Sequence, residues 1–542
     1  MRRRFLLALC FLGATLVARA QQAAPAQRGE FSISGRLVNA VTGEVVRKAF
    51  VQIAPVTQRG QAQNVETAAD GAFEFHNLAA GKYNLGAQAH GFFLQSFEQH
   101  GMFSTAIAVG RSNVSTGLVF RLQPEGSITG RVLDEHNEPV RDAQVLLFAK
   151  SNDLGTKLVE RRGQMMTNDQ GQYHFDHLRP STFYIAVVAQ PWYRRYLQTM
   201  RRNVAAGEQG PQTDPALDVA YPVTYYPGVT SSEDAGALVV HAGDRMTADF
   251  DLAPVQSVHL TIRNANAENG QQIQPNFRER VFGDATGIFA QPMLMFSPGE
   301  IEVAGLAPGN YAVNLTQYNG NGKDNLNRVH DLSLQQSGEL DAASSSSLEG
   351  IHGTIKFEGT RAANSAVLQL RDLASGSQLS AQPDERGEFN LEPDHAGRYD
   401  ISLGNLPGYA IRTIAAVGVR VTGRTIEFTG TQPAELTIQA SEGVAIIDGT
   451  VKTGDQPASG AMVVLVPQDM ANNAILFRRD QSDSDGTFTL REVVPGRYTA
   501  IAIQNGWEME WASPEALRPY LAKGTPVQVL GKQQLNVNVA AQ

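Results

Sequence analysis

A pattern of thirteen residues recurs five times along the chain and constrains its fold more than any other feature. Each copy begins with glycine and has apolar residues at its third and fifth places. Glycine, or serine once, lies at the eleventh place, and Tyr or Phe at the thirteenth. The copies are GAFEFHNLAAGKY (71–83), GQYHFDHLRPSTF (171–183), GEIEVAGLAPGNY (299–311), GEFNLEPDHAGRY (387–399) and GTFTLREVVPGRY (486–498).

Apolar residues that alternate with polar ones are typical of a β-strand with one buried face. Pro308-Gly309 and Pro495-Gly496 supply turn chemistry, because proline presets φ and glycine tolerates positive φ. A second alternating run follows each turn. The pattern therefore predicts a β-hairpin in every copy.

A second block, in which a glycine lies beside alternating apolar residues, precedes four of the copies. It reads SISGRLVN (32–39), SITGRVLD (127–134), IHGTIKF (351–357) and IIDGTVKT (446–453). Its glycines recur within each half of the chain after roughly a hundred residues, the size of a small antiparallel β-sandwich. The chain is therefore predicted to be all-β, a tandem array of about five β-sandwich domains.

The predicted domains are 30–122, 123–255, 256–341, 348–440 and 441–542. The second carries an insertion at about 191–242, and the third is degenerate, with SVHLTIRN (257–264) as its first strand. LDAASSSS (340–347) is predicted to be a linker. SPEALRPYLAKG (513–524) predicts a short helix near the C-terminus, because Ser513 can cap it and Pro519 interrupts it.

These units resemble the carboxypeptidase regulatory-like domain, a seven-stranded sandwich related to the transthyretin-like and starch-binding-like folds. The resemblance rests on the start Gly130 to Asp134, on Asp70 to Tyr83 and on Ser484 to Tyr498. The stretch 221–252 also resembles segments of large exported acidobacterial proteins built from such domains. The resemblance implies a module without catalytic residues of its own.

The N-terminus predicts export. Arg2 to Arg4 form a basic start, an apolar run covers 5–17, and Ala18-Arg19-Ala20 is a small-x-small cleavage site, so residues 1–20 are predicted to be a signal peptide. No later stretch is long and apolar enough for a membrane helix. We therefore expect the protein in the periplasm, on the cell surface or outside the cell. The formal charge of −9 argues against nucleic acid as a partner.

No catalytic signature is found. A metallocarboxypeptidase needs His-x-x-Glu and a distant His, and no such pair occurs in order. A nucleophile elbow, a phosphate loop and a dinucleotide fingerprint are absent in the required strand–turn–helix context. The only cysteine, Cys10, lies in the predicted signal peptide and is expected to be removed with it. The mature chain would then have no thiolate to act as a nucleophile or a metal ligand. We expect no enzyme activity, no catalytic residue and no cofactor.

Two stretches raise the alternative of a metal site. His174-Phe175-Asp176-His177 places His174 and Asp176 on the outer face of a strand, where a solvated surface is the simpler interpretation. Asp483, Asp485, Gly486 and Glu492 fall near positions of a Ca²⁺ loop, but strand follows where that loop requires a helix. The aspartates are interpreted as the start of a turn. No metal site is predicted.

Aromatic residues are the better functional lead. Phe92, Trp192, Tyr409 and Trp507 follow the closing Tyr or Phe of their copies by nine or ten residues. Aromatics in strand-connecting loops can stack on the apolar faces of sugars, although a residue in one repeat phase can also close the end of its sandwich. The candidate ligand-binding residues are Trp192, Tyr193, Tyr196, Tyr225, Tyr226, Trp507 and Trp511.

The sequence therefore favours a non-catalytic exported binding or structural protein, with carbohydrate or a cell-surface polymer as its partner. The alternatives are an accessory module of a carboxypeptidase-like or polysaccharide-degrading system and a pure spacer or adhesion scaffold. The repeat leaves only the insertion of the second domain unassigned, which is too short for a hydrolase core.

Overall fold

The computed structural model describes residues 29–57, 62–193, 217–263, 272–283, 293–297, 299–318, 326–342, 348–358 and 363–542. The predicted signal peptide and Tyr196 lie outside these ranges. Within them, the strands form five pairs of sheets, called sandwiches 1 to 5 in chain order, and one separate two-stranded sheet. The prediction of an all-β tandem array is confirmed.

Sandwiches 1 and 2 occupy the first half of the chain. Sandwich 1 comprises β1 (Phe31–Asn39), β2 (Phe50–Pro55), β3 (Gln63–Glu66), β4 (Ala72–Leu78), β5 (Gly81–Gln88), β6 (Gln95–Ser96), β7 (Ile107–Val109) and β8 (Leu118–Leu122). Sandwich 2 comprises β9 (Gly126–Leu133), β10 (Gln144–Ser151), β11 (Leu158–Met166), β12 (Gln172–Leu178), β13 (Ser181–Val188), β14 (Val219–Ala220), β15 (Thr224–Tyr225), β16 (Leu238–Val240), β17 (Arg245–Thr247) and β18 (Phe250–Asp251). The short β19 (Val255–Gln256) pairs with β14.

The other three sandwiches follow. Sandwich 3 comprises β20 (Val258–Arg263), β21 (Gln272–Glu279), β22 (Met293–Ser297), β23 (Glu300–Leu306), β24 (Gly309–Tyr318), β25 (Leu326–Leu334) and β26 (Gly338–Asp341). Sandwich 4 comprises β27 (Ile351–Phe357), β28 (Val367–Asp372), β29 (Gln378–Ala381), β30 (Glu388–Leu391), β31 (Gly397–Gly404), β32 (Tyr409–Val417), β33 (Arg420–Thr422), β34 (Thr425–Phe428) and β35 (Ala434–Glu442). Sandwich 5 comprises β36 (Ala445–Thr453), β37 (Gln456–Pro457), β38 (Met462–Pro467), β39 (Arg478–Gln481), β40 (Thr487–Val493), β41 (Gly496–Ile503), the helix α1 (Pro514–Leu521), β42 (Thr525–Val529) and β43 (Gln534–Ala540). Short 3₁₀ turns lie at Ser232–Asp234, Ala363–Ser365 and Ala474–Leu476.

Two details differ from the sequence prediction. Leu340, placed in the predicted linker, is buried on β26, which pairs with β20 and completes a sheet of sandwich 3. Part of the predicted insertion of the second domain is integral to its sheet, because β15 and β16 both pair with β13. The predicted helix near the C-terminus is confirmed as α1, which Ser513 caps through a hydrogen bond from the Ala516 amide.

The repeated motif is a crossing between two sheets, and the prediction of a β-hairpin is wrong. In sandwich 1, β4 pairs with β1 in one sheet, whereas β5 pairs with β2 in the other. The same separation holds in the other four sandwiches. Alternation fits both arrangements, because it shows only that one face of each strand is buried. The crossing places Phe73 and Phe75 opposite Leu85 in one core.

The glycine of the block that precedes the motif makes room for the aromatic residue of the motif. A Cβ at Gly449 would lie 2.4 Å from the ring of Phe488 and 2.2 Å from the carbonyl oxygen of Val537 on the parallel strand β43. Both distances are shorter than van der Waals contact allows. The same conflict would arise at Gly35, Gly130 and Gly353.

The closing tyrosine of the motif ties the crossing together. The Tyr498 hydroxyl donates to the carbonyl oxygen of Val494 at 2.7 Å, and the ring lies in the core. Tyr83, Tyr311 and Tyr399 each donate in the same way to the carbonyl four residues earlier. Sandwich 2 has Phe183 at this place and therefore lacks the hydrogen bond.

Sandwich 5 folds back onto the beginning of the chain. Its residue Gln481 is buried and donates to the carbonyl oxygen of Glu98 at 2.7 Å and to the Thr105 hydroxyl at 2.8 Å in sandwich 1. In sandwich 2, the Asn152 side chain donates to the carbonyl oxygen of Trp507 at 2.9 Å. The first, second and fifth sandwiches are thus in direct contact, although the second and fifth are far apart in sequence.

Tyr498→Phe is expected to lower the free energy of unfolding of sandwich 5 by about 1 kcal/mol, because it leaves the Val494 carbonyl without its hydrogen bond. Denaturant unfolding followed by tryptophan fluorescence measures this, since Trp507 and Trp511 both lie in sandwich 5. Tyr409→Phe is the control, because the Tyr409 hydroxyl bonds Glu442 at the exposed surface. Equal effects of the two variants would contradict the role given to the closing tyrosine.

Candidate functional site

Trp192 is the one tryptophan whose side chain is exposed. It follows β13 and has 69% of its surface accessible. The next residue, Tyr193, donates its hydroxyl to Glu135 Oε1 at 3.1 Å, and Tyr221 donates to Glu135 Oε2 at 2.6 Å. The rings of Trp192 and Tyr193 meet edge to face, with centroids 5.7 Å apart. Glu135 therefore holds the chain that presents the indole.

Trp192 borders a groove of about 770 Å³ between sandwiches 2 and 3, called here the interdomain groove. One wall belongs to sandwich 2 and consists of the turn before β10, with Met166 and Ala189 beside it. The other wall belongs to sandwich 3 and includes Glu279, Leu306 and Tyr311. The volume is of the size that small ligands or a few sugar rings occupy.

The groove carries charge as well as apolar surface. Asp134, Glu138 and Asp142 line it from sandwich 2, and Glu279 lines it from sandwich 3. Burial raises the pKa of Glu279 to about 7. Arg141 is the basic residue among the described lining residues, and its Nε lies 3.3 Å from Asp142 Oδ2. The groove therefore combines an exposed indole with an excess of carboxyl groups.

The turn that bears these carboxyl groups is held by its own backbone. Asp134 Oδ1 accepts hydrogen bonds from the amides of His136 and Glu138, both at 2.8 Å. Asp134, Glu135 and His136 are also the three described residues whose potential ligand atoms lie within 4.8 Å of one another. The carboxylates of Asp134 and Glu135 are occupied by these amides and by the two tyrosine hydroxyls, which explains the cluster without a metal ion.

The structure separates the other predicted aromatics from the groove, although they share the insertion with Trp192. Tyr225 is buried, with its ring 5.1 Å from that of Phe282. Tyr226 is half-buried and meets the ring of Phe250 at 6.1 Å. Tyr196 lies outside the described residues. Of the predicted set, the structure brings the rings of Trp192 and Tyr193 together, and Trp192 lines the groove.

Trp507 and Trp511 are buried where sandwich 5 meets sandwiches 1 and 2. They are 9% and 8% exposed. His100 stacks on Trp507 at 4.7 Å, and the Arg479 guanidinium lies 4.0 Å from the Trp511 ring. Trp511 Nε1 donates to the carbonyl oxygen of Asn152 at 2.7 Å. These contacts leave no exposed indole face for a sugar ring, so the two residues stabilise the domain contact.

The two aspartates that raised the calcium alternative also belong to this contact. Asp483 Oδ2 and Asp485 Oδ1 both face Lys82 of sandwich 1, the second at 3.5 Å. Asp483 Oδ1 accepts from the Ala106 amide at 2.9 Å. The Gly486 amide donates to the carbonyl oxygen of Asp483, which closes the turn. The arrangement supports the interpretation as a turn.

Glu492, the last residue of the calcium alternative, and His177, which follows His174 and Asp176 in the histidine cluster, occupy the same structural position of the repeat. Glu492 and His177 both have positive φ, at 54° and 51°, in the seventh place of their motifs, as does Asn77. Glu492 Oε2 accepts from the Gly408 amide of sandwich 4 at 2.9 Å. His177 Nδ1 lies 2.7 Å from Glu125 Oε2, and this hydrogen bond raises the pKa of His177. The positive φ at this position bends the strand before the chain crosses to the other sheet.

The comparisons with known proteins bear on the first sandwich. Residues 32–119 match the family model of the carboxypeptidase regulatory-like domain. Sandwich 1 is therefore similar to the domains of this family. The recurrence of the same strand pairing in sandwiches 2 to 5 extends its architecture along the chain. Among curated proteins, none matches the chain.

Similar solved structures include three bacterial proteins. A streptococcal ancillary pilin is 12% identical, covers 52% of this chain and 99% of its own, and has a TM-score of 0.19. The Bacillus anthracis TIE protein is 10% identical, with 96% and 76% covered and a TM-score of 0.16. The major pilin subunit of Bacillus cereus is 9% identical, with 76% and 99% covered and a TM-score of 0.14. At these values the likeness carries no argument about function.

The sandwich 3 wall of the groove was missed by sequence reasoning. Glu279 ends β21 and Leu306 ends β23, and nothing in their local sequence relates them to Trp192. Their part in the groove follows from how two domains meet. Within the described ranges, helices that combine the length and the apolar character needed to cross a bilayer do not occur.

Lys82→Ala is expected to lower the free energy of unfolding by about 2 kcal/mol, because it leaves the largely buried Asp483 carboxylate without its cation. The matched control is Arg36→Ala, which removes the exposed pair with Asp70 of the corresponding turn in sandwich 1 and should cost less than about 0.5 kcal/mol. Urea unfolding compares the two. A smaller loss for the Lys82 variant would show that this ion pair does not hold the contact.

Addition of calcium chloride is expected to leave the unfolding midpoint unchanged, because Lys82 and backbone amides already occupy the carboxylates of Asp483 and Asp485. Differential scanning calorimetry with calcium and with the chelator EGTA checks this. A calcium-dependent rise that Asp485→Asn abolishes would restore the calcium-loop interpretation.

Proposed function

We propose that this chain is an exported, non-catalytic binding protein whose interdomain groove holds a carbohydrate chain. The observation that carries the proposal is the exposed Trp192 beside a groove of about 770 Å³. Exposed tryptophans are costly to leave in water and often mark binding surfaces. An indole face and a ring of polar side chains are what a sugar requires, since each pyranose has an apolar face and a hydroxyl edge.

The way in which Trp192 is held supports this role. Its neighbour Tyr193 and the distant Tyr221 both bind Glu135, so the loop keeps its position without a ligand. A pre-positioned aromatic loses little side-chain entropy when a ligand stacks on it. Phe92 and Trp507 occupy the same place in their repeats, but they pack against other side chains of the protein. Trp192 differs from them because its ring is available to a ligand.

The alternative of a pure spacer or adhesion scaffold receives less support. An extended array needs only neighbour-to-neighbour contacts, whereas sandwich 5 is bound to sandwiches 1 and 2 through buried groups such as Gln481. The role of an accessory module of a degrading system is compatible with the same groove, because it too requires binding of a polymer.

Trp192→Ala is expected to weaken binding of the folded chain to its polysaccharide by about ten-fold or more, the effect of removing a central aromatic contact. Polysaccharide pull-down and glycan-array binding identify the ligand, and isothermal titration calorimetry measures the affinity. Phe50→Ala is the matched control, because Phe50 is 66% exposed on sandwich 1.

An equal loss in both variants would point to a surface other than the groove. Failure of the wild-type chain to bind any polysaccharide would overturn the carbohydrate assignment and leave the scaffold role.

A further inference from the structure

Among the described residues that line the interdomain groove, acidic side chains outnumber basic ones. Asp134, Glu138, Asp142 and Glu279 carry carboxyl groups, whereas Arg141 carries a guanidinium. Asp134, Glu138 and Asp142 belong to the sandwich 2 wall. Glu279 belongs to the sandwich 3 wall, and because burial raises its pKa to about 7 it is mostly protonated in weakly acidic solution. The negative field of the groove therefore comes from the sandwich 2 wall.

The carboxyl groups differ in what already binds them. Asp134 is buried and caps its own turn, and Asp142 lies beside Arg141. Glu138 is exposed, and its carboxylate makes no ion pair or side-chain hydrogen bond with the described part of the chain. Its backbone is nevertheless fixed, because its amide donates to Asp134 at 2.8 Å. Glu138 thus offers an unneutralised charge at a defined place in the groove.

From this pattern we infer that the groove takes a glycan that bears free amino groups and discriminates against uronate or sulfated chains. The inference rests on the proposed function and names the ligand class of the same groove. A protonated amine is attracted both to the carboxylates and to the face of the Trp192 indole. An anionic chain would lose its hydration and meet carboxylates of its own sign on the sandwich 2 wall.

A neutral glycan is expected to bind with an affinity between those of the amino glycan and the anionic one. Its hydroxyl groups can donate to the same carboxylates and its rings can stack on Trp192, so it keeps the contacts that depend on shape. It lacks the Coulomb attraction of an ammonium group, which salt weakens because the groove is open to water. The preference for an amine is therefore expected to be largest at low ionic strength.

The test compares three oligosaccharides of equal length by calorimetry at about pH 6, where most glucosamine amines are protonated: a glucosamine oligomer, its N-acetylated counterpart and a galacturonate oligomer. The glucosamine oligomer should bind about ten-fold more tightly than the acetylated one at low salt, with the galacturonate weakest. Glu138→Gln should remove most of this difference, because it should weaken binding of the glucosamine oligomer much more than binding of the acetylated one, whose hydroxyl groups can still donate to the glutamine oxygen. Glu66→Gln, an exposed carboxylate of sandwich 1, is the matched control and should change neither affinity.

Equal affinity for the glucosamine and acetylated oligomers, or tighter binding of the galacturonate, would overturn this inference and leave the proposed function standing. A preference that survives Glu138→Gln and Asp142→Asn together would also overturn it. Failure of all three oligomers to bind would overturn the inference for these sugars, and failure of the wider glycan array would separately remove the proposed function.

Discussion

The structure depends on the crossing of the chain from one sheet to the other at each repeated motif. A strand with one apolar face must bury that face against a second layer. The motif supplies both layers, because its first strand joins one sheet and its second strand joins the other. Packing of the motif aromatic against a glycine and the hydrogen bond of the closing tyrosine fix the crossing. Five such crossings yield five cores.

Contacts between sandwiches use a different chemistry from the cores. The cores are apolar, whereas the surface between sandwiches 1 and 5 contains Gln481, His100 and Lys82 with partners for their polar groups. Arg479 is half-buried there against Trp511, and its desolvation lowers its pKa to about 10. A buried polar group is costly when its partner is removed. Such a surface therefore favours one relative placement of two domains over many similar ones.

The interdomain groove exists because two sandwiches meet, each with its own apolar core. A single sandwich buries its apolar residues and exposes polar strand faces, so it has little concave surface. Where sandwich 2 meets sandwich 3, the loop of Trp192 and the ends of β21 and β23 enclose space that neither sandwich encloses alone. Ligand sites at domain boundaries are common for this reason. Under the proposed ligand class, the carboxylates of the sandwich 2 wall add selectivity by charge to a cavity formed by packing.

The sequence by itself determined the all-β class, the number of sandwiches and the place of the short helix, because periodicity and turn residues act locally and recur. It also indicated that Asp483 and Asp485 begin a turn, since their place in the motif is shared by copies that lack the carboxylates. Only the tertiary structure decided that the motif crosses between sheets, because a buried strand face does not reveal its partner. The same limit applies to the tryptophans. Trp192 and Trp507 share one repeat phase, yet the first is exposed at a groove and the second is covered by His100, because burial depends on which distant domain lies above each side chain.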